Sequence, residues 1–172
     1  MHRHAVPILT FTTLVALVFC LGSGAASAQQ KSPKDQLVGA WTFVSGGAKL
    51  PDGSSAWGNS PKGLLIFMAD GHYTSQLVRS DRPKFAANSR IKGTAEENRA
   101  AVHGYIGSFG TYTVDSAGKS FTVKFLASSY PNLEGTEQTR PFTIAGDELR
   151  ITNPAPSVGG GAPSQLVYRR AK

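Results

Sequence analysis

Short runs in which apolar and polar residues alternate dominate the chain from residue 41 onward, separated by Gly, Asp, Asn and Pro. Alternation with a period of two puts successive side chains on opposite faces of a strand, so this pattern predicts antiparallel β structure. Eight such runs can be marked: Trp41–Ser45, Gly63–Met68, His72–Arg79, Phe109–Val114, Ser120–Ala127, Gln138–Ile144, Glu148–Thr152 and Gln165–Arg169. Asp70-Gly71 and Ala145-Gly146-Asp147 supply tight hairpin turns. Eight strands joined mostly in sequence predict an all-β fold, an eight-stranded antiparallel up-and-down barrel, occupying residues 37–172.

One segment departs from this rhythm and predicts a short helix between strands 3 and 4. Thr94-Ala95-Glu96-Glu97 has the form of a capping box, in which the threonine hydroxyl and the glutamate satisfy two orphan backbone N–H groups reciprocally. The helix is expected from Ala95 to Ile106 with Gly107 ending it, and its apolar residues Ala101, Val102, Tyr105 and Ile106 are expected to plug one end of the barrel. Two long connections flank the strands: Ser80–Gly93, which is basic, and Asn153–Pro163, built of Pro, Gly and small residues.

Strand parity also predicts which side chains point inward. Phe121, Val123 and Phe125 share one face, as do Gly110, Tyr112 and Val114, Leu149 and Ile151, and Leu166 and Tyr168. On the sixth strand Phe142 and Ile144 point inward, and the same parity carries Gln138 and Arg140 with them. A charge inside a barrel needs a partner. Either an internal carboxylate and hydroxyls such as that of Tyr112 satisfy Arg140, or it meets an anionic group of a ligand. Internal pairing is the commoner solution.

The first 28 residues change the picture of where the barrel works. Met1-His2-Arg3-His4 is basic, Ile8–Leu21 is apolar, and Gly22–Ala28 is small before the chain turns polar at Gln29. That order is the order of an exported protein's signal peptide, with Ala26-Ser27-Ala28 placing the cut after Ala28. A periplasmic or secreted location follows, with residues 29–36 as a flexible leader. Cys20, the only cysteine, would leave with the signal, and Phe19 before it argues against lipidation. Disulfides and thiol chemistry are thereby excluded from the mature chain, whose length suits one self-sufficient domain.

Net charge is +7, but the basic residues are scattered apart from Arg79, Arg82, Lys84, Arg90 and Lys92. Nucleic-acid binding would call for a denser patch interleaved with exposed aromatics. Solubility and weak contact with an anionic envelope surface fit better. His72 and His103 are too few for a metal site. No glycine loop for phosphates, no nucleophile elbow and no recognisable catalytic set occurs, so neither a cofactor nor a catalytic residue is assigned.

Gly39-Ala40-Trp41 resembles the G-x-W motif of the lipocalin superfamily. There the glycine lets the chain bend, the tryptophan closes the barrel base, and an arginine near the last strand, here Arg169 or Arg170, packs over it. A longer resemblance, to the lipocalin-like domain proteins of bacteria and fungi, runs in order through Leu37–Trp41, Pro61–Phe67, Asp70–Tyr73, Gln76–Arg79 with Arg82-Pro83, Gly104–Ile106, Phe109–Asp115, Tyr130–Asn132, Gly135-Thr136 with Gln138, and Leu166–Tyr168. It implies an eight-stranded barrel and carries no shared reaction. Two departures stand out: many members lack a signal peptide, and His103 occupies a position where an acidic or neutral residue is expected.

The expectation is therefore an exported protein that holds a small hydrophobic or amphipathic molecule, including one bearing a carboxylate. The residues expected to line its site are Arg140, Tyr112, Gln138, Tyr73, Phe125, Phe142, Tyr168 and Tyr105. Two alternatives are an isomerase- or cyclase-type enzyme using Tyr73, Tyr112, His103 and Arg140 on a hydrophobic metabolite, and an envelope interaction module using the basic Arg79–Lys92 segment.

Overall fold

A computed structural model describes His2, residues 31–158 and residues 162–172. The segment read as a signal peptide, its cut and most of the proposed leader lie outside the described residues. Residues 31–172 form one compact unit. Eight antiparallel strands close on themselves in the order β1–β8, with β1 hydrogen-bonded to both β2 and β8. The strands are β1 Gly39–Gly46, β2 Lys62–Phe67, β3 His72–Val78, β4 Tyr105–Val114, β5 Ser120–Ser128, β6 Glu137–Ala145, β7 Glu148–Asn153 and β8 Ser164–Arg170. Two short helices accompany them, α1 Pro33–Leu37 and α2 Ala95–His103.

Sequential pairing sorts the connections by end. The short turns after β2, β4 and β6 gather at the base, where β1 begins and β8 stops. The four longer connections, residues 47–61, 79–104, 129–136 and 154–163, gather at the mouth. The Asp70-Gly71 turn behaves as its sequence predicts, with the Asp70 carboxylate accepting from the His72 N–H at 3.0 Å.

The base is closed by contacts radiating from Trp41, which is fully buried. Its indole Nε1 donates to the Leu37 carbonyl at 2.7 Å, which fastens α1 beneath the barrel. The Arg170 guanidinium lies 4.1 Å from the centre of the indole ring. Its Nη1 and Nη2 donate to the carbonyls of Val38 and Gln36 at 3.1 and 2.7 Å. Arg170, rather than Arg169, therefore covers the tryptophan, because Arg170 shares the register position opposite Trp41. Gly39 is required by the same arrangement: its φ is +126°, and a Cβ there would stand 3.2 Å from Nη1 of Arg170.

Two expectations about helices need correction. Residues 33–37, mostly within the expected leader, form α1, whose Leu37 is buried in the core. α2 has the predicted capping box at Thr94 and Glu97, but it ends at Gly104 rather than Gly107. Tyr105 and Ile106 instead pair with Val78 and Leu77 of β3, and the sheet wins over the helical spacing. None of its side chains is buried and Val102 is 68 % exposed, so α2 does not plug the barrel. α1 is what closes an end.

Above Trp41 the lower interior is filled by aromatic rings, with Phe67 set edge to face 4.8 Å from Tyr112 and 5.1 Å from Phe121, and Phe121 tilted 5.7 Å from Phe142. Leu149, Ile151 and Val123 are buried in the same core. Replacing Trp41 with Ala removes the largest buried side chain together with its indole bond, and is expected to cost about 3–5 kcal/mol of stability. Arg170→Ala loses two charge-assisted bonds and is expected to cost about 2 kcal/mol. Urea unfolding measures both. Equal stability of Arg170→Ala and the parent would refute the importance of this closure.

Candidate functional site

The inward faces of the upper strands differ in chemistry from the packed base. Ser75 and Leu77 of β3, Ile106 and Ser108 of β4, Phe125 of β5, Gln138 and Arg140 of β6, and Ser164, Leu166 and Tyr168 of β8 surround an internal chamber of about 70 Å³. The mouth connections supply its roof, with Trp57 from the β1–β2 connection, Leu133 from the β5–β6 connection, and Ser157 and Val158 from the β7–β8 connection. Trp57 is buried, and it packs so close to Gly47 that a Cβ there would meet its ring at 2.6 Å.

Arg140 dominates the chamber. Its Nη2 and Nε both donate to the Gln138 side-chain oxygen, at 2.8 and 3.3 Å. Its guanidinium lies 5.8 Å from the centre of the Phe125 ring, a position that favours a cation. No carboxylate among the described residues, which include every Asp and Glu of the chain, lies within ion-pair distance of it. Burial pushes its pKa down, opposed by the tyrosines Tyr168 and Tyr73, yet an arginine remains charged at neutral pH. The internal pairing weighed from the sequence is thus met only by a neutral amide two residues away on the same strand.

The neighbouring phenols are held protonated. Burial drives the Tyr168 pKa up to about 12, against the opposing pull of Arg140 and then Ser75. Tyr73 is likewise raised by burial, with Ser108 and Arg140 opposing. Ser108 approaches the Tyr73 hydroxyl without completing a hydrogen bond, so this buried oxygen is left without a partner, as is the Ser164 hydroxyl. Such groups are few in native interiors and costly, and they concentrate here beside an unneutralised guanidinium.

Five of the residues read from sequence come together at this point: Arg140, Gln138, Tyr168, Phe125 and Tyr73. The other three do not join them. Tyr112 points inward but belongs to the base, its hydroxyl donating to the Met68 carbonyl at 2.9 Å. Phe142 packs on Phe121 in the same lower layer. Tyr105 faces outward, its ring lying across Gly107 on the barrel's outer surface. His103 sits in an external groove and not in the chamber, so the polar set considered for catalysis is divided among the base, chamber and surface. No group of three His, Cys, Asp or Glu side chains among the described residues could hold a metal.

Sequence reasoning passed over Ser75, Ser108, Ser164 and Trp57. Extending the parity of Tyr73 and Leu77, of Gly110 and Tyr112, and of Leu166 and Tyr168 by one step brings in all three serines. Trp57 lies outside any strand, and only its being a large apolar residue in a turn-rich connection marks it.

A closed eight-stranded antiparallel barrel, sealed by a G-x-W tryptophan under an arginine and carrying a polar cluster inside, is a lipocalin-like barrel. The family model described as a lipocalin-like domain matches residues 38–171, and the chain belongs to that family. A relative in Aspergillus oryzae, the 4′-hydroxy-3′-methoxypropiophenone carrier protein, is 32 % identical over 105 residues, which make up 56 % of this chain and 95 % of that protein. More distant likenesses extend to the REP1-NXSQ fatty acid transporter, at TM-score 0.36 and 12 % identity over 80 % of this chain and 97 % of its own. The wild-type fluorescent protein UnaG matches at TM-score 0.35 and 15 % identity, over 79 % and 98 % of the two chains.

The raised Tyr168 pKa sets a pH dependence. The folded state holds the phenol's proton more tightly than the unfolded chain does, so the contribution is intact below pH 10. It is lost as the pH climbs towards 12, by up to about 3 kcal/mol. Tyr73 acts in the same direction. Denaturant unfolding between pH 9 and 11.5 is expected to show this decline, and Tyr168→Phe to flatten it; an undiminished slope in that variant would place its origin elsewhere.

Proposed function

We propose that this protein is a carrier that holds a small amphipathic molecule in its barrel, with an anionic oxygen group of the ligand set against Arg140. The observation that carries the reading is the guanidinium inside the barrel with, among the described residues, only Gln138 Oε1 as hydrogen-bond partner and no carboxylate to neutralise it. A carboxylate entering the chamber would supply the missing countercharge and acceptors for the Tyr73 and Ser164 hydroxyls. Phe125, Leu77, Ile106 and Leu166 offer apolar walls alongside. The carrier named for an aryl ketone in Aspergillus oryzae supports carriage as the role of this branch of the family.

A ligand anchor and a structural arginine make opposite demands on stability. Arg140→Met is expected to leave the unfolding free energy unchanged or raise it by about 1 kcal/mol, because it removes a half-buried charge that lacks an ionic partner among the described residues. Arg140→Gln is expected to weaken binding of amphipathic carboxylates by about 10- to 100-fold, the loss of one charge-assisted hydrogen bond or two. Isothermal titration with a carboxylate series, beside urea unfolding of both variants, separates the cases. Unaltered affinity in Arg140→Gln would refute the anchor, and strong destabilisation of Arg140→Met would return the residue to a structural role.

We also propose that the carrier works outside the cytoplasm, in the periplasm or the medium, after cleavage following Ala28. The basic start, apolar stretch and Ala26-Ser27-Ala28 exit support this. Intact-mass measurement of the protein recovered from its producing cells is expected to show a chain beginning at Gln29. An intact Met1 terminus in the cytosolic fraction would overturn it.

A further inference from the structure

The chamber at Arg140 is too small for a whole ligand. Its volume of about 70 Å³ accommodates a head group of a few atoms, whereas pockets for small molecules usually measure several hundred cubic ångströms. A second concavity of about 440 Å³ opens on the outside of the mouth. Trp57, Ile106, Ser157 and Val158 line both spaces, so the two adjoin.

The walls of this outer groove are mainly apolar. Leu50 and Ala56 come from the β1–β2 connection, Val102 from the last turn of α2, and Tyr130 from the β5–β6 connection. Val102 is 68 % and Tyr130 38 % exposed, and no other described element covers them. Scattered exposed apolar residues need no explanation, but several converging on one concave surface next to a ligand chamber do. Among the described residues the one strong cation of the groove, Arg79, is already held by Asp81 through a 2.6 Å contact, so they present no free guanidinium there to a second anionic group.

We infer that the outer groove holds the apolar body of the same molecule whose anionic head lies at Arg140, and that the ligand is therefore an elongated amphipathic carboxylate and not a compact acid. This rests on the reading of Arg140 given above. The adjacency of the two spaces at four shared residues argues for one occupant across both. The volume mismatch argues that the larger space takes the larger part of the molecule. Trp57 and Ile106 form the waist, in contact with the ligand between head and body.

A series of straight-chain carboxylates with four, eight and twelve carbons, titrated into the purified protein, tests this. Affinity is expected to rise about fourfold for each added methylene that reaches the groove. Val102→Asp, a change at an exposed position that the fold tolerates, is expected to weaken the twelve-carbon acid at least tenfold and leave the four-carbon acid unchanged. Arg140→Gln is expected to weaken all three. A flat dependence on chain length, or unchanged twelve-carbon affinity in Val102→Asp while Arg140→Gln still weakens binding, would overturn the groove and leave the head-group site standing. Indifference of every acid to Arg140→Gln would overturn the carrier reading of Arg140 itself, whatever Val102→Asp did. A second copy of the chain seated in the groove would show as a Val102-dependent dimer in sedimentation and would likewise overturn the inference.

Discussion

The barrel depends on the closure of its base around Trp41. An eight-stranded sheet can curl up only if its first and last strands meet, and the pairing of β1 with β8 is where they do. Arg170 reinforces that seam from the last strand: its guanidinium lies over the indole and its two terminal nitrogens reach the carbonyls of Val38 and Gln36. Residues more than 130 positions apart are thus joined by one side chain. Gly39 makes room for it, and α1 is held from beneath by the indole. A planar, permanently charged fork is suited to bridging two carbonyls while stacking on an aromatic ring, and lysine could not substitute.

The interior above this base is deliberately uneven. The lower layer is rings and aliphatic side chains in close contact, and its one phenol, Tyr112, is satisfied by a backbone carbonyl. The upper layer holds a guanidinium without a counter-ion and hydroxyls without partners. These features lower stability where they occur, and a barrel could be filled without them. They concentrate around one small chamber above the packed aromatics of the base.

The eight strands, their order and the inward set were legible in the sequence because a period of two, read against turn residues, carries that information locally. The capping box at Thr94 was legible for the same reason. The end of α2 was not: Ala95–Ile106 has helical spacing, and only the cross-strand partners Leu77 and Val78 draw Tyr105 and Ile106 into β4. Parity placed Arg140, Gln138, Tyr168 and Phe125 in the interior but could not tell height along the barrel, so Tyr112 and Phe142 were grouped with a site that lies above them. Tyr105 lies on the outer face beside the groove, and not in the chamber, because it belongs to β4 and not to α2. Trp57 follows a small hairpin bridged at Lys49 and Ser55, and packing against Gly47 is what turns its ring into the roof of the chamber.

The sorting of long connections to one end and short turns to the other has an evolutionary reading. The closure running from Leu37 through Trp41 to Arg170 is made at the base, whereas Trp57, Leu133 and Val158 stand at the mouth of the same core. Insertions, deletions and substitutions in the upper connections can therefore accumulate with little penalty to the foundation. Relatives built on this plan are free to vary at the rim while keeping a common base.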